Sequence, residues 1–395
     1  MKALVAAAVA VSVALGLCGG AQAAPEVGGQ LRAQWTERSP SRDDGVTLST
    51  ELRASGAGLA AVATVQSESL EGRPWASRGV FNELYASTSL GSWQLAAGRK
   101  IVGWDVGYGF RPNDVVQQEQ RRTLLATTAE GRPLVMAEHF DADTAWAIAW
   151  VNPTHRREQR GAEEPALALR AYRRIDALDA HGFVRLGARS GASVGSALAW
   201  VAGESLELHG SVRLIERADT LVLAAAPGEI VRSNPWVPAE RHRTAQALVG
   251  GTWTTASQIS LLAEAWWDGA ALSDAQWDAW NARSAALAAL AGPPIPAAAI
   301  AGNLAWQANA FNAAQNLRRA NLFVRLSAQH GAWQPALDLL ATPADGGRIV
   351  TASLGWQGDR VRLDAGLRVN GGPHDAVIAQ LPVRRTAYLA ATFAF

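Results

Sequence analysis

Five consecutive residues, Gly191-Ala192-Ser193-Val194-Gly195, spell G-x-S-x-G, the pattern that presents a nucleophilic serine in many hydrolases. That chemistry needs a strand before the serine and a helix after it, so that the hydroxyl stands on a strained turn. Here the flanks, Phe183–Arg189 and Ser205–Leu214, both alternate in polarity and read as strands, which makes the five residues a glycine-rich hairpin link. A hydrolase would also need a histidine brought to the serine. The 7 histidines are scattered, and none pairs at the H-x-x-x-H spacing of a metal site. Phosphate-loop, dinucleotide and EF-hand patterns do not occur in the chain. The reading therefore assigns no catalytic residue, metal or cofactor.

A second set of residues suits electrostatics. Arg32, Arg53, Arg170, Arg185, Arg213, Arg325, Arg362 and Arg368 each sit between apolar or small neighbours, and Glu51, Glu207, Glu264 and Asp364 share their parity. In a strand, alternate residues face opposite sides. An arginine facing lipid at mid-depth costs roughly 2–4 kcal/mol, whereas one facing water costs little, so this alternation fits a wall with a wet interior. An excess of arginine in such a lining favours anions or acidic sugars. The net charge of +1 gives no argument for nucleic acid as a partner.

The elements that would carry these residues are short alternating runs. Val361, Leu363, Ala365, Leu367 and Val369 share one face, with Arg362, Asp364, Gly366 and Arg368 on the other. Gln30–Trp35, Thr47–Ala54, Glu83–Leu90, Ile259–Trp267, Asn321–Gln329 and Val350–Trp356 repeat the pattern. Turn-like links at Ser55–Gly58, Gly91–Ser92, Asp141–Thr144, Gly203–Glu204, Thr254–Ser257, Gly331–Ala332 and Gln357–Asp359 alternate with longer ones. The longest are 102–131, 216–242 and 268–317. Two links break the rhythm: Ile175–His181 reads as longer than a tight turn, and Ser190–Ala192 is short where a long link is due. Short turns on one rim and long loops on the other are the signature of an all-β, transmembrane, antiparallel up-and-down barrel. The count comes to about 18 strands, between 16 and 20. Of the 16 tryptophans, Trp35, Trp93, Trp150, Trp200, Trp253, Trp267, Trp333 and Trp356 fall at strand ends, as aromatic girdles require. Ser273–Leu290 reads as a helix inside the longest link, capped by Ser273 and stopped by Gly292-Pro293-Pro294.

The termini agree with export to an outer membrane. Lys2, the apolar run Ala3–Leu17 and Ala21-Gln22-Ala23 have the order of a signal peptide, residues 1–23, with a single barrel domain over 24–395. Leu15-Gly16-Leu17-Cys18 only loosely matches a lipoprotein box, because Leu17 is too large next to the cysteine. The final run, Tyr388–Phe395, puts Leu389, Ala391, Phe393 and Phe395 on one face, the form of terminal strand read by barrel-assembly machinery.

One segment stands apart. Arg99 closes a strand, and Trp104, Arg111, Pro112 and Asp114 follow in a glycine-rich stretch that runs on through Arg121 and Arg122. With Gly98 and Arg99 ahead of it, this G-R…W…R-P-x-D segment resembles a poorly characterised family of porin-like barrels, over about thirty residues. The resemblance implies a Gram-negative outer-membrane barrel with a transport or export role and no established substrate. From the residues alone, Arg99, Asp114 and Arg121 either serve that role or pin an external loop by ion pairs. Folded inward, the segment would add Arg99, Trp104, Arg111, Asp114, Arg121 and Arg122 to a constriction. The expected function is passage of small or medium hydrophilic solutes, anionic ones among them, rather than catalysis. The second reading is a barrel accessory of lipid or polysaccharide export. Expected partners are outer-membrane lipid, the assembly machinery through the Phe395 strand, an unidentified solute and further copies of the chain.

Overall fold

The computed structural model describes residues 25–40, 44–117, 124–125, 128–159, 161–223, 236–309 and 316–395. The signal-peptide reading, Arg121 and Arg122 lie outside them. Eighteen strands follow one another: β1 (Glu26–Ser39), β2 (Gly45–Gly56), β3 (Leu59–Leu70), β4 (Ala76–Leu90), β5 (Trp93–Lys100), β6 (Arg132–Phe140), β7 (Thr144–Val151), β8 (Ala166–Ile175) and β9 (Leu178–Gly187) make the first half. The second half is β10 (Gly191–Val201), β11 (Leu206–Leu223), β12 (Trp236–Thr254), β13 (Ile259–Asp268), β14 (Ala320–Ala328), β15 (Trp333–Thr342), β16 (Gly347–Gln357), β17 (Val361–Gly371) and β18 (Arg385–Ala394). Each strand pairs antiparallel with the next, and β1 pairs with β18 from Gln30↔Ala394 to Ser39↔Arg385, which closes the barrel. Closure removes every unpaired sheet edge, the condition for a sheet to sit in lipid. Among the described residues no helix is long and apolar enough to cross a membrane.

Alternation sets the two faces. Val361, Leu363, Leu367 and Val369 of β17 are exposed on the outer wall, and Arg362, Asp364 and Arg368 line a cavity on the other face. Trp35, Trp93, Trp150, Trp200, Trp253, Trp267 and Trp333 are likewise exposed, at both ends of their strands.

Two link readings need correction. Ile175–His181 is a tight turn, because Asp176 takes the left-handed conformation (φ 53°) and Ile175 pairs with Leu178. Much of 216–242 is strand: β11 and β12 stay paired from Arg217↔His242 to Leu223↔Trp236. The short link read at Ser190–Ala192 lies at 188–190, because β10 already begins at Gly191; it is short on the long-link rim, as expected.

In the longest link, α1 (Asp274–Ala289) begins at Ser273, whose side chain and Gln276 form a reciprocal capping box. Its Trp277 and Trp280 pack with Trp236, Leu272 and Val377 against the tall ends of β11 and β12. A second helix, α2 (Ala297–Asn309), follows and was not anticipated.

Candidate functional site: an inward segment between two cavities

Residues 102–116, which follow β5, lie inside the barrel, and two aspartates fold them. Asp114 Oδ1 accepts the N–H groups of Trp104 (3.1 Å) and Asp105 (3.3 Å). Asp105 Oδ2 accepts Asn113 N–H (2.5 Å) and Ser211 Oγ–H (2.9 Å). Arg111 donates through Nε to Gly107 O (2.7 Å) and stands 3.7 Å from Asp114. At the base, Arg99 grips Glu130 (2.6 Å) and Gly131 O (3.0 Å), so it pins the far end of the link. Both aspartates are buried. Burial raises the Asp105 carboxyl above its usual range, and it pushes Asp114 up to about 6 against the opposing pull of Arg111.

The folded segment is stitched to the wall by groups on three strands, β10, β11 and β13. Asn113 Nδ2 reaches Ser196 O (3.1 Å), Ser211 Oγ (2.8 Å) and Val212 O (3.0 Å). Arg213 Nη1 donates to Pro112 O (3.2 Å). Glu264 accepts the N–H groups of Tyr108 (2.6 Å) and Gly109 (2.7 Å), and it meets His209 Nε2 at 2.9 Å.

Apolar packing completes the contact. Val102, Trp104, Val115 and Val116 pack on Leu134, Met136, Ala147, Ala149, Val151, Ala168, Phe183 and Ala197. Phe110 packs on Leu248, Trp266, Phe323 and Leu340. A sequence signal for this docking did exist: Ala145–Val151 is apolar without alternation, as a strand must be when both its faces are covered. Nothing comparable marks Asn113 or Glu264 as anchors.

Two cavities flank the segment. One, of about 700 Å³, is lined by Tyr108 together with Arg325, Asp338, Arg362, Asp364 and Arg368, and it reaches the short turns at Thr254 and Gln329. The other, of about 470 Å³, is lined by Asp114 and Val116 with Glu164, Arg185, Arg213 and Asp219, toward the long links.

The charges inside are more balanced than parity suggested. Arg53 pairs with Glu51 (2.6 Å) and Arg362 with Asp364 (2.9 Å), as their proximity in sequence allowed. Arg325 pairs with Asp338 (3.0 Å) and Arg185 with Glu164 (3.1 Å), two carboxylates the sequence reading missed. Glu164 sits in a link and Asp338 in a strand without clear alternation, so parity could not find them. Arg32 donates to Thr392 (3.2 Å), Arg368 to Thr351 (3.0 Å) and Arg213 to Ser193 (2.9 Å), and Arg170 lies 3.3 Å from His181. Glu207 and Glu264 bracket His209 at 3.1 and 2.9 Å. Ser193 itself lies within β10, with a strand rather than a helix around it.

No protein-family model matches the chain, and no curated protein matches it. Solved structures do resemble it. OccK5 (OpdH) of Pseudomonas aeruginosa superposes with a TM-score of 0.54 at 9% identity, over 94% of this chain and 98% of that one. OccAB1 of Acinetobacter baumannii gives 0.54 at 9%, over 94% and 96%. Pseudomonas aeruginosa OpdK, solved with vanillate, gives 0.53 at 10%, over 94% and 98%. These neighbours are Gram-negative outer-membrane channels. At such identities the likeness is one of fold.

Proposed function

We propose that this protein is an outer-membrane channel of a Gram-negative bacterium that passes small hydrophilic solutes and prefers anions weakly. The observation that carries this reading is the docked segment 104–116, which crosses a closed barrel between two polar-lined cavities. A packed soluble core has no use for buried charge on this scale, whereas a wet lumen tolerates it. The fold neighbours, which are channels rather than enzymes, support the same reading. In this reading residues 1–23 are removed on export, the long links face the exterior, and the Phe395 strand is the assembly signal. Copies of the barrel are free to associate through the outer wall.

The pairing of Arg325 and Arg362 with their own carboxylates leaves a small positive bias, so selectivity is weak. Liposome swelling with uncharged solutes of graded size tests the proposal. Vesicles containing the barrel should swell in small sugars and stay unswollen in large ones. Equal impermeability to all of them would refute it.

A further inference from the structure

The larger cavity, toward the short turns, has a wall ordered in rows by the register of β14 to β17. One row is apolar: Phe323 stands opposite Leu340, and Leu340 opposite Ile349. Two residues along each strand lies a polar row, in which Arg325, Asp338, Thr351 and Arg368 stand opposite one another in turn. Tyr108, at the tip of the inward segment, stacks on Phe323 with centroids 5.8 Å apart and planes 20° apart. Arg325 Cζ lies 5.9 Å from the same ring. Tyr108 still keeps 37% of its surface exposed, and it lines the cavity together with both rows.

The charges of this wall are held by partners. Arg325 gives Nη1 to both oxygens of Asp338, and Arg362 gives Nε to both oxygens of Asp364, each at 3.0 Å. Arg368 gives Nε to Thr351 (3.0 Å). An anion seated at Arg325 or Arg362 would have to part the arginine from its aspartate and would then meet the freed carboxylate. A neutral solute that both donates and accepts needs no such exchange, because a guanidinium and a carboxylate in a pair still have donors and acceptors to spare. The exposed ring of Tyr108 and the apolar row add a second demand, for a C–H surface, since the negative face of an aromatic ring attracts polarised C–H groups. A pyranose meets both demands, with a face of C–H groups and a rim of hydroxyls. The cavity, about 700 Å³, falls within the roughly 300–1,000 Å³ of small-molecule sites. We propose that it binds a small neutral saccharide, with a sugar ring against Tyr108 and its hydroxyls on the row from Arg325 to Arg368. This deepens the channel reading above and rests on it.

The test uses the full barrel and three probes of similar size: methyl glucoside, glucuronate and sorbitol. They are a neutral ring, an anionic ring and an open-chain polyol. Saturation-transfer NMR in a detergent without sugar headgroups reads binding, and current noise in planar bilayers reads occupancy during conduction. Methyl glucoside should bind saturably and more tightly than either of the others. Y108A should weaken it about tenfold. D338N should weaken it about three- to tenfold. If Y108A fails to assemble, Y108L removes the aromatic face while keeping bulk, and it should weaken binding in the same way. Equal binding of sorbitol or glucuronate, or unchanged binding in the Tyr108 and Asp338 variants, would overturn the proposal. A barrel that binds methyl glucoside in detergent and carries no current would sink the channel reading and leave this site standing. Current without saturable binding would do the opposite.

Discussion

Glu264 of β13 accepts the amide protons of both Tyr108 and Gly109, at 2.6 and 2.7 Å, with its carboxylate wholly buried. The pair of bonds joins the tip of the inward segment to the wall opposite its root. Hydrogen bonds to a charged group contribute about 1.5–3 kcal/mol each. E264L should therefore weaken docking by about 3–6 kcal/mol while the barrel still assembles. Single-channel records should show higher, noisier conductance with heat-modifiable migration unchanged. A quiet trace of wild-type size would mean the segment is held by packing alone.

Gly195 lies where the segment presses closest. A Cβ added there would overlap both Asn113 Oδ1 and the Val212 carbonyl. Backbone cannot retreat within a paired strand, so G195A should push Asn113 out and cost the three hydrogen bonds it makes. The expected phenotype resembles E264L. Hydrogen exchange at Asn113, whose amide is bound to Asp105, should accelerate at least tenfold in G195A. Unchanged exchange would show that the strand yields instead.

Docking should strengthen in acid. Asp114 has a carboxyl pKa raised from 3.8 to about 6 by burial, so the docked segment binds more protons than the undocked one between those values. Stability of docking accordingly rises as pH falls from about 6 toward 4 and is lowest, and flat, above 6. Asp105 shifts in the same direction. Channel noise should be smaller at pH 4.5 than at pH 7.5, and D114N should reduce the difference. Greater noise in acid would contradict the assignment.

The ion pairs predict how selectivity responds to substitution. D338N and D364N each free an arginine that the wall now neutralises, so both should raise anion preference. R362Q should do the reverse, because Asp364 then stands alone. R368Q should also lower anion preference, because Thr351 is a neutral partner and leaves the Arg368 charge in the lining. Reversal potentials under a salt gradient give the order, and the differences should shrink as salt rises. Identical potentials in all four variants would place these residues off the solute path.

How much of this was legible depended on what each residue faces. Val361–Val369 was read correctly because lipid on one side and water on the other force strict alternation. The same rule failed at Glu216–His242, where the paired strands run on beyond the alternating stretch and one face packs on the loop helix. Charges then fall on either parity, as Arg217, Asp219, Glu240 and Arg241 do. The turn at Asp176 was hidden because an aspartate, not a glycine, takes the left-handed conformation. In the site, the R-P-x-D residues were singled out by type. Their docking partners Ser211, Arg213 and Glu264 are far away in sequence, and only the closed barrel brings them within hydrogen-bond reach.

The central claim is that an open lumen is narrowed by residues 104–116. Single-channel recording in planar bilayers tests it most directly, on the wild type and on a variant in which a short Gly-Ser link replaces 104–116. The account predicts resolved current steps in both, larger in the variant because the two cavities then merge. Silence from both barrels, or steps of equal size, would contradict it.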